Sequence, residues 1–155
     1  MPRATPVHKV QLTDLLRESL KAEGLDPDLL AQDFAEWKAL GDKGEYSSYY
    51  FGKDSDYTRP TRLKKSVLRH VHLPPASDPK EIASWEKVWS KKGRKTSDTS
   101  LVYARDPTHG YLLIYIAREP EGHLFAEMTT PQSKQMMENF ADVAEAFIHD
   151  GTVRI

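Results

Sequence analysis

A β-hairpin is the feature that most limits how this sequence can fold. Residues 100–105 (SLVYAR) and 111–118 (YLLIYIAR) are rich in apolar and aromatic residues, and each has the length of a strand. The segment between them, DPTHG, has turn chemistry, with an Asp-Pro pair and a closing glycine. The second strand is apolar on both faces, so we expect it to be the central strand of the sheet. Arg118 ends it, where a rigid sheet can hold a charge in place.

Helical segments are separated from the strands along the chain. The segments 13–22 and 26–41 each begin with a capping residue, and the second has proline at its first helical position. A last helix is expected at 131–149, where apolar residues recur on one face, and a weak alternation at 6–12 predicts a first strand. Helices kept apart from an antiparallel strand block favour an α+β fold over a doubly wound sheet.

The middle of the chain has less regular signals. Residues 42–62 contain glycine, proline and several tyrosines, and we interpret them as irregular structure with aromatic anchors. A strand is expected at about 66–73, ended by two prolines. An Asp-Pro pair then starts a helix at 78–92, and the following KKGRKTSD is predicted to be a flexible basic loop. The segment 76–98 thus has the character of an inserted helix and loop.

Composition narrows the class of protein. The 155 residues suit a single domain, 1–155, with a real core. The chain has no cysteine, which excludes disulfides, thiolate metal sites and cysteine nucleophiles. It lacks an apolar run long enough for a membrane span and an apolar leader at its start, so we expect a cytoplasmic protein without membrane contact.

Positive charge is concentrated in two short stretches although the formal net charge is −1. The stretch 59–72 (RPTRLKKSVLRHVH) contains five Lys/Arg, two His and no acid, and a second basic stretch covers 87–95. Such clusters face polyanions, although either alone could be a solvated surface. We therefore expect RNA or ribosome contacts from seven residues: Arg62, Lys64, Lys65, Lys91, Lys92, Arg94 and Lys95.

Histidine chemistry adds a catalytic hypothesis. His70 and His72 are two residues apart on the expected strand and should share one face, and histidine transfers protons near neutral pH. RNA carries its own nucleophile, the 2′-hydroxyl, so cleavage needs only positioning, proton transfer and stabilisation of phosphate charge. Arg69, Arg118 and His123 complete a set with the required residue types, if neighbouring strands bring the five together.

Other interpretations of these residues stay open. The sequence lacks the phosphate-binding motif GxxxxGK[ST], the dinucleotide motif GxGxxG and the nucleophile motif GxSxG. His70 and His72 could bind a metal if His123 or a carboxylate supplied a third ligand, or they could be ordinary strand residues. Arg118 could instead pair with Glu119 or Glu121, and His123 could simply lie in a loop.

Several short segments, taken in order, resemble one family. The segments are FGKDSDY (51–57), RHVHL (69–73), LVYAR (101–105), LLIYIAREPEGH (112–123) and ADVAEAF (141–147). Together they resemble the YafO toxins, ribosome-dependent mRNA interferases of type II toxin–antitoxin systems that are related to the RelE group. The family's paired histidines match His70 and His72, its basic residue after the LLI strand matches Arg118, and its P-E-x-H ending matches Pro120, Glu121 and His123.

This resemblance implies both a fold and an activity. The fold would be small and RelE-like, with an antiparallel sheet, two N-terminal helices on one face and a C-terminal helix. The activity would be cleavage of mRNA in the ribosomal A site without a metal or other cofactor, neutralised by an antitoxin encoded beside the toxin. The segment 76–98 is longer than the family pattern requires, and the C-terminal helix is acidic.

Two other functions remain to be distinguished from an mRNA endoribonuclease. One is a non-catalytic RNA- or DNA-binding regulator on the same scaffold. The other is a RelE/ParE-like toxin with a protein target such as gyrase. The histidine pair favours nuclease chemistry, because binding alone does not require titratable groups.

Overall fold

The computed structural model of the protein describes residues 9–119 and 122–155. These residues form six α-helices, one short 3-10 helix at Gly41–Lys43 and seven strands. In chain order the elements are β1 (Val10–Leu12), α1 (Asp14–Ala22), α2 (Pro27–Ala39), α3 (Gly44–Ser47), β2 (Asp54–Asp56), β3 (Thr61–Arg62), β4 (Lys65–Ser66), β5 (Arg69–His72), α4 (Pro79–Ser90), β6 (Ser100–Asp106), β7 (Gly110–Ala117), α5 (Gly122–Glu127) and α6 (Pro131–Asp150).

Five strands form one sheet in the order β1-β7-β6-β5-β2, and β3 and β4 form a separate small hairpin. The predicted hairpin is confirmed as β6 and β7, which pair antiparallel from Ser100 opposite Ala117 to Asp106 opposite Gly110. The middle strand is β6, so the expectation that the second hairpin strand is central was wrong. The short strand β1 pairs parallel with β7, so the sheet is mostly, not wholly, antiparallel.

The two faces of the sheet are covered by different helices. On one face, which we call the α1–α2 face, Leu16 and Phe34 pack against sheet residues that include Leu101 and Tyr103. On the opposite face, the α6 face, the C-terminal helix and α5 cover another set of sheet side chains, among them Val102. The α+β fold with two N-terminal helices on one face is therefore confirmed. The buried apolar residues of both clusters supply the main favourable free energy of folding.

Local capping explains where the helices begin. The side chains of Thr13, Asp26 and Asp78 accept hydrogen bonds from backbone amides in the first turns of α1, α2 and α4. Proline occupies the first turn of both α2 and α4, as the sequence predicted. The C-terminal helix is capped by Thr130 at its start and is terminated after Asp150 by Gly151, whose φ of 80° is a left-handed value that glycine adopts without strain.

The segment 42–62 is more regular than predicted. It contains helix α3 and strand β2, and β2 pairs antiparallel with β5 as an edge strand of the sheet. The strand expected at 66–73 is split into β4 and β5, because the chain first turns through the β3–β4 hairpin. Leu63 and Lys64 at that turn both have positive φ angles, as a two-residue hairpin turn of type I′ requires. The predicted first strand is observed from Val10, and its residues 6–8 lie outside the described residues.

The inserted helix is confirmed as α4, but the loop that follows is not a solvated tail throughout. The Lys95 side chain is fully buried, its Nζ donates a hydrogen bond to the Glu45 carbonyl at 2.9 Å, and the ammonium lies near the Trp85 and Trp89 rings. In the described parts of the chain, no helix combines the length and apolar character needed to cross a membrane.

Candidate functional site

Strand β5 directs its side chains alternately to the two faces of the sheet. Arg69 and Val71 lie opposite Tyr103 and Leu101 of β6 and belong to the α1–α2 face. His70 lies opposite Val102, on the α6 face, and His72 shares that face because it is two residues along. The two imidazoles have ring centroids 5.5 Å apart, so the expected histidine pair is present.

His72 is held by the backbone of the loop before β6. Its Nδ1 is 2.7 Å from the Ser97 carbonyl oxygen and 3.1 Å from the Ser97 amide nitrogen. A protonated Nδ1 donates to the Ser97 carbonyl oxygen, which is the closer group, whereas an unprotonated Nδ1 accepts from the Ser97 amide, so the ring is held in either tautomer. With the proton on Nδ1, Nε2 keeps a lone pair that can accept a proton. Burial lowers the pKa of His72 from its ordinary value, although the hydrogen bond to Ser97 opposes the shift.

His70 is a neutral support for this arrangement. Its ring stacks on Tyr57 with centroids 4.1 Å apart and planes 16° apart. Burial lowers the pKa of His70 to about 4, and repulsion from a protonated His72 acts in the same direction. At neutral pH His70 is therefore uncharged, and its position suits orienting His72 rather than transferring protons.

His123 reaches the same place from a different element. It lies in α5, and both its ring Nδ1 and its backbone amide are 2.7 Å from Asp98 Oδ1. The chain can approach this closely because residue 122 is glycine: a Cβ atom there would lie 1.9 Å from the Asp98 carbonyl oxygen. The centroids of the His72 and His123 rings are 6.1 Å apart.

These two histidines open onto one cavity of about 560 Å³, which we call the histidine pocket. Its lining residues are Lys53, His72, Asp78, Lys80, Glu81, Ser84, Thr96, Ser97 and His123. Lys53 is the basic residue that the sequence analysis missed as a site residue. The only signal for it was its position in the FGKDSDY segment, because its proximity to His72 depends on how β2 pairs with β5.

Backbone hydrogen bonds to His72 and Lys95 hold Lys53 in place. Its carbonyl oxygen accepts a hydrogen bond from the His72 amide at 3.0 Å. Its own amide donates to the Lys95 carbonyl oxygen at 2.8 Å. The chain therefore brings Lys53 and two imidazoles to a shared, solvent-open space.

The two predicted arginines are not part of this pocket. Arg69 lies on the α1–α2 face, where it donates a hydrogen bond to Tyr103 and forms ion pairs with Asp54 and Asp56. Arg118 forms a 2.5 Å ion pair with Glu23 at the end of α1, and not with Glu119. The expectation that all five candidate residues surround one site is therefore wrong.

An irregularity in β7 explains why Arg118 faces away from the histidines. The register between β6 and β7 shifts at Val102 and Tyr103, and consecutive β7 residues Ile114 and Tyr115 both pack on the α6 face. This bulge reverses the alternation that follows it. Ile116 then lies on the α1–α2 face, and Arg118, two residues further on, lines the same surface.

The predicted RNA-contact residues divide into two groups. Lys64, Lys65, Lys91 and Lys92 are exposed. Arg62 instead pairs with Glu138 and Asp142 of α6, and Arg94 pairs with Glu45. Lys95 is buried, as described above, so in this conformation its side chain is not accessible for the predicted contact with RNA.

The same geometry bears on the alternative that the histidines bind a metal ion. His72 and His123 each engage Nδ1 with a protein oxygen, at Ser97 and Asp98 respectively. Within residues 9–119 and 122–155, no group of three or more histidine or carboxylate side chains is arranged to hold a metal ion.

Comparison with known proteins identifies the family. No curated protein and no solved structure gave a significant match to the chain. The family model described as toxin YafO of a type II toxin–antitoxin system matches residues 35–149, which is most of the chain and includes β5, the histidine pocket and α6. The chain therefore belongs to the YafO family of toxins, whose members act in type II toxin–antitoxin systems with a cognate antitoxin as partner.

Proposed function

We propose that this toxin is an endoribonuclease that cuts mRNA on the ribosome, without a metal, by attack of the RNA 2′-hydroxyl. The observation that carries the proposal is the meeting of His72 and His123 at one open pocket beside Lys53. Two imidazoles at this separation can reach opposite sides of one phosphodiester, and a lysine beside them can stabilise its charge.

The proposed reaction assigns a different step to each residue. His72 Nε2 accepts the proton of the 2′-hydroxyl as its oxygen attacks phosphorus, and Lys53 stabilises the negative charge that develops on the phosphate oxygens. His123 donates a proton to the departing 5′-oxygen, and Asp98 stabilises the positive charge on its ring during the exchange. The products are a 2′,3′-cyclic phosphate and a 5′-hydroxyl, which balances atoms and protons.

The charge of the pocket supports the ribosome's involvement. Lys53 and Lys80 are matched by the carboxylates of Asp78 and Glu81 at the same cavity. Such a pocket attracts free RNA weakly, because phosphate binding depends on an excess of positive charge. We propose that the ribosome presents the message, and that the exposed lysines outside the pocket contribute to docking on ribosomal RNA.

Expression in cells, followed by primer extension on a reporter mRNA, tests this function. We expect the wild type to arrest growth and to produce new 5′ ends within translated message. His123→Ala should abolish both effects, since loss of a general acid or base costs roughly 100- to 10,000-fold in rate. His149→Ala provides a matched control at an exposed histidine of α6, and Arg118→Ala tests the opposite face of the sheet. Both should remain toxic.

The same experiment separates the competing functions. Growth arrest with intact message and damaged or relaxed DNA would point to a gyrase-directed toxin. Loss of toxicity in Arg118→Ala, with His123→Ala still active at equal expression, would place the active site on the α1–α2 face and reject the histidine pocket.

A further inference from the structure

An apolar groove of about 410 Å³ lies on the α1–α2 face, away from the histidine pocket. Three large side chains that line it are well exposed: Leu25 at 50%, Leu29 at 56% and Tyr50 at 63%. Leu30, Ile116 and Pro74 continue the apolar lining beneath them. Exposed apolar residues that line one groove are typical of a surface that binds another molecule.

The rim of the groove has negative charge. Asp26 and Asp33 line it, and Arg118, the one cation among the described residues that line the groove, is already paired with Glu23. Carboxylates repel RNA phosphates, so this surface does not suit a nucleic acid. An apolar floor with an acidic rim is complementary to an amphipathic peptide that carries leucine-like side chains flanked by lysine or arginine.

We infer that this groove is where the cognate antitoxin docks, through an amphipathic segment with apolar anchors and basic flanks. The family supplies the partner, because a toxin of a type II system has an antitoxin. The groove supplies the chemistry of the contact. Docking here leaves the histidine pocket open, so neutralisation would follow from the bulk that the antitoxin adds to the opposite face of the toxin. The inference depends on the family and not on the nuclease proposal.

Charged substitutions in the groove test this inference. The probe is the protein encoded by the small reading frame that adjoins the toxin's own, co-expressed with each toxin variant. Leu29→Lys should stay fully toxic when expressed alone but escape neutralisation, with antitoxin binding at least ~30-fold weaker, as for loss of a central interface anchor. Leu40→Lys is the matched control, because Leu40 is 53% exposed at the other end of the same helix and does not line the groove.

A second variant tests the charge complementarity. Asp33→Lys should weaken binding and make the remaining affinity less sensitive to salt, because it removes an attractive charge from the rim. Glu36→Lys, one turn further along α2 and outside the groove lining, should bind as the wild type does.

Three outcomes would overturn the inference. The first is that the antitoxin neutralises Leu29→Lys to the same extent as it neutralises Leu40→Lys. Another is Leu29→Lys losing toxicity in the absence of antitoxin while remaining folded by circular dichroism, since the groove would then serve the target. The third is a wild-type homodimer that Leu29→Lys dissociates, because a second copy would then occupy the groove. Each result is independent of whether mRNA is the molecule that the toxin cuts.

Discussion

At the scale of single residues, three histidines of the same region lie in different environments. His70 is stacked on Tyr57 and largely removed from water, His72 is held at its Nδ1 by a carbonyl, and His123 is exposed beside Asp98. In the proposed reaction, His72 accepts a proton and His123 donates one at the pocket, while His70 supports His72 from beside it. Burial lowers the pKa of both His70 and His72, so the neutral ring is favoured at these two positions.

Burial of His70 predicts how stability depends on pH. Its pKa is lowered to about 4 in the folded protein, against about 6.5 in an unfolded chain, so the unfolded state binds the proton more tightly. The stabilisation is complete above about pH 6.5 and is lost as the pH falls toward 4. We expect His70 to account for a loss of about 2 kcal/mol between pH 7 and pH 5.

Urea denaturation of the wild type and of His70→Phe at both pH values measures this effect. The variant keeps a ring to stack on Tyr57 but cannot take up a proton, so its unfolding free energy should change less over the same range. An equal change in both proteins would assign the pH dependence to other groups, of which buried His72 is the first.

At the scale of elements, the loop after α4 combines an anchored part with a free part. Lys95 is buried beside two tryptophans, while Lys91 and Lys92 are exposed at the end of the helix. The sequence predicted a uniformly solvated basic loop, since alternating basic and small residues give no sign of burial. The long alkyl stem of lysine lets it fill an apolar site while its ammonium finds a carbonyl, here that of Glu45.

This division predicts opposite effects of substitution within one loop. Lys95→Ser should lower the free energy of unfolding by about 2 kcal/mol or more, because it leaves a cavity between the tryptophans. Lys91→Ser with Lys92→Asn should leave stability nearly unchanged, and asparagine is chosen because Lys92 has a φ of 56°.

Ribosome pelleting at several salt concentrations measures whether Lys91 and Lys92 contribute to docking on the ribosome. The Lys91/Lys92 variant should co-sediment less at low salt, and the difference from the wild type should shrink as salt rises. Unchanged co-sedimentation at low salt would remove this end of the loop from the docking surface, and a stable Lys95→Ser protein would contradict the packing argument.

At the scale of the whole molecule, the sheet separates two kinds of surface. The α6 face and the edge near α4 carry the histidine pocket, whereas the α1–α2 face carries an apolar, acidic groove. With a formal net charge of −1, the protein as a whole has no long-range attraction for nucleic acid. Activity on RNA would then depend on local docking, which suits a substrate held by a larger assembly.

Ribosome dependence is the prediction that belongs to this scale. Purified toxin should cut a message bound to a translating ribosome at least ~100-fold faster than the same message free in solution, because positioning of the reacting groups is supplied by the complex. Time courses with both substrates and quantification of 5′ ends give the two rates. Equal rates would show that the toxin positions RNA by itself. They would contradict the inference that a toxin of this net charge depends on the ribosome to present the RNA.

Local sequence signals determined much of the fold. The capping residues Thr13, Asp26 and Asp78, and the turn between β6 and β7, act through contacts within a few residues, so they can be recognised without a structure. These local signals also set the order of helices and strands, and that order was enough to predict the α+β class. The family was also recognisable, because its segments occur in order along the chain and the family model matches residues 35–149.

The candidate site depended on contacts that are distant in the sequence. Strand alternation alone already separates Arg69 from His70, and this part of the arrangement was accessible from the sequence. For Arg118 it was not: regular alternation from Leu112 would place it with the histidines, and only the β7 bulge turns it away. Lys53 reaches the pocket through the pairing of β2 with β5, and the Lys95 ammonium is bound by the carbonyl of Glu45, which is 50 residues away in the sequence. Local hydrogen bonding decides where elements begin and end, whereas only packing between distant segments decides which side chains share a pocket.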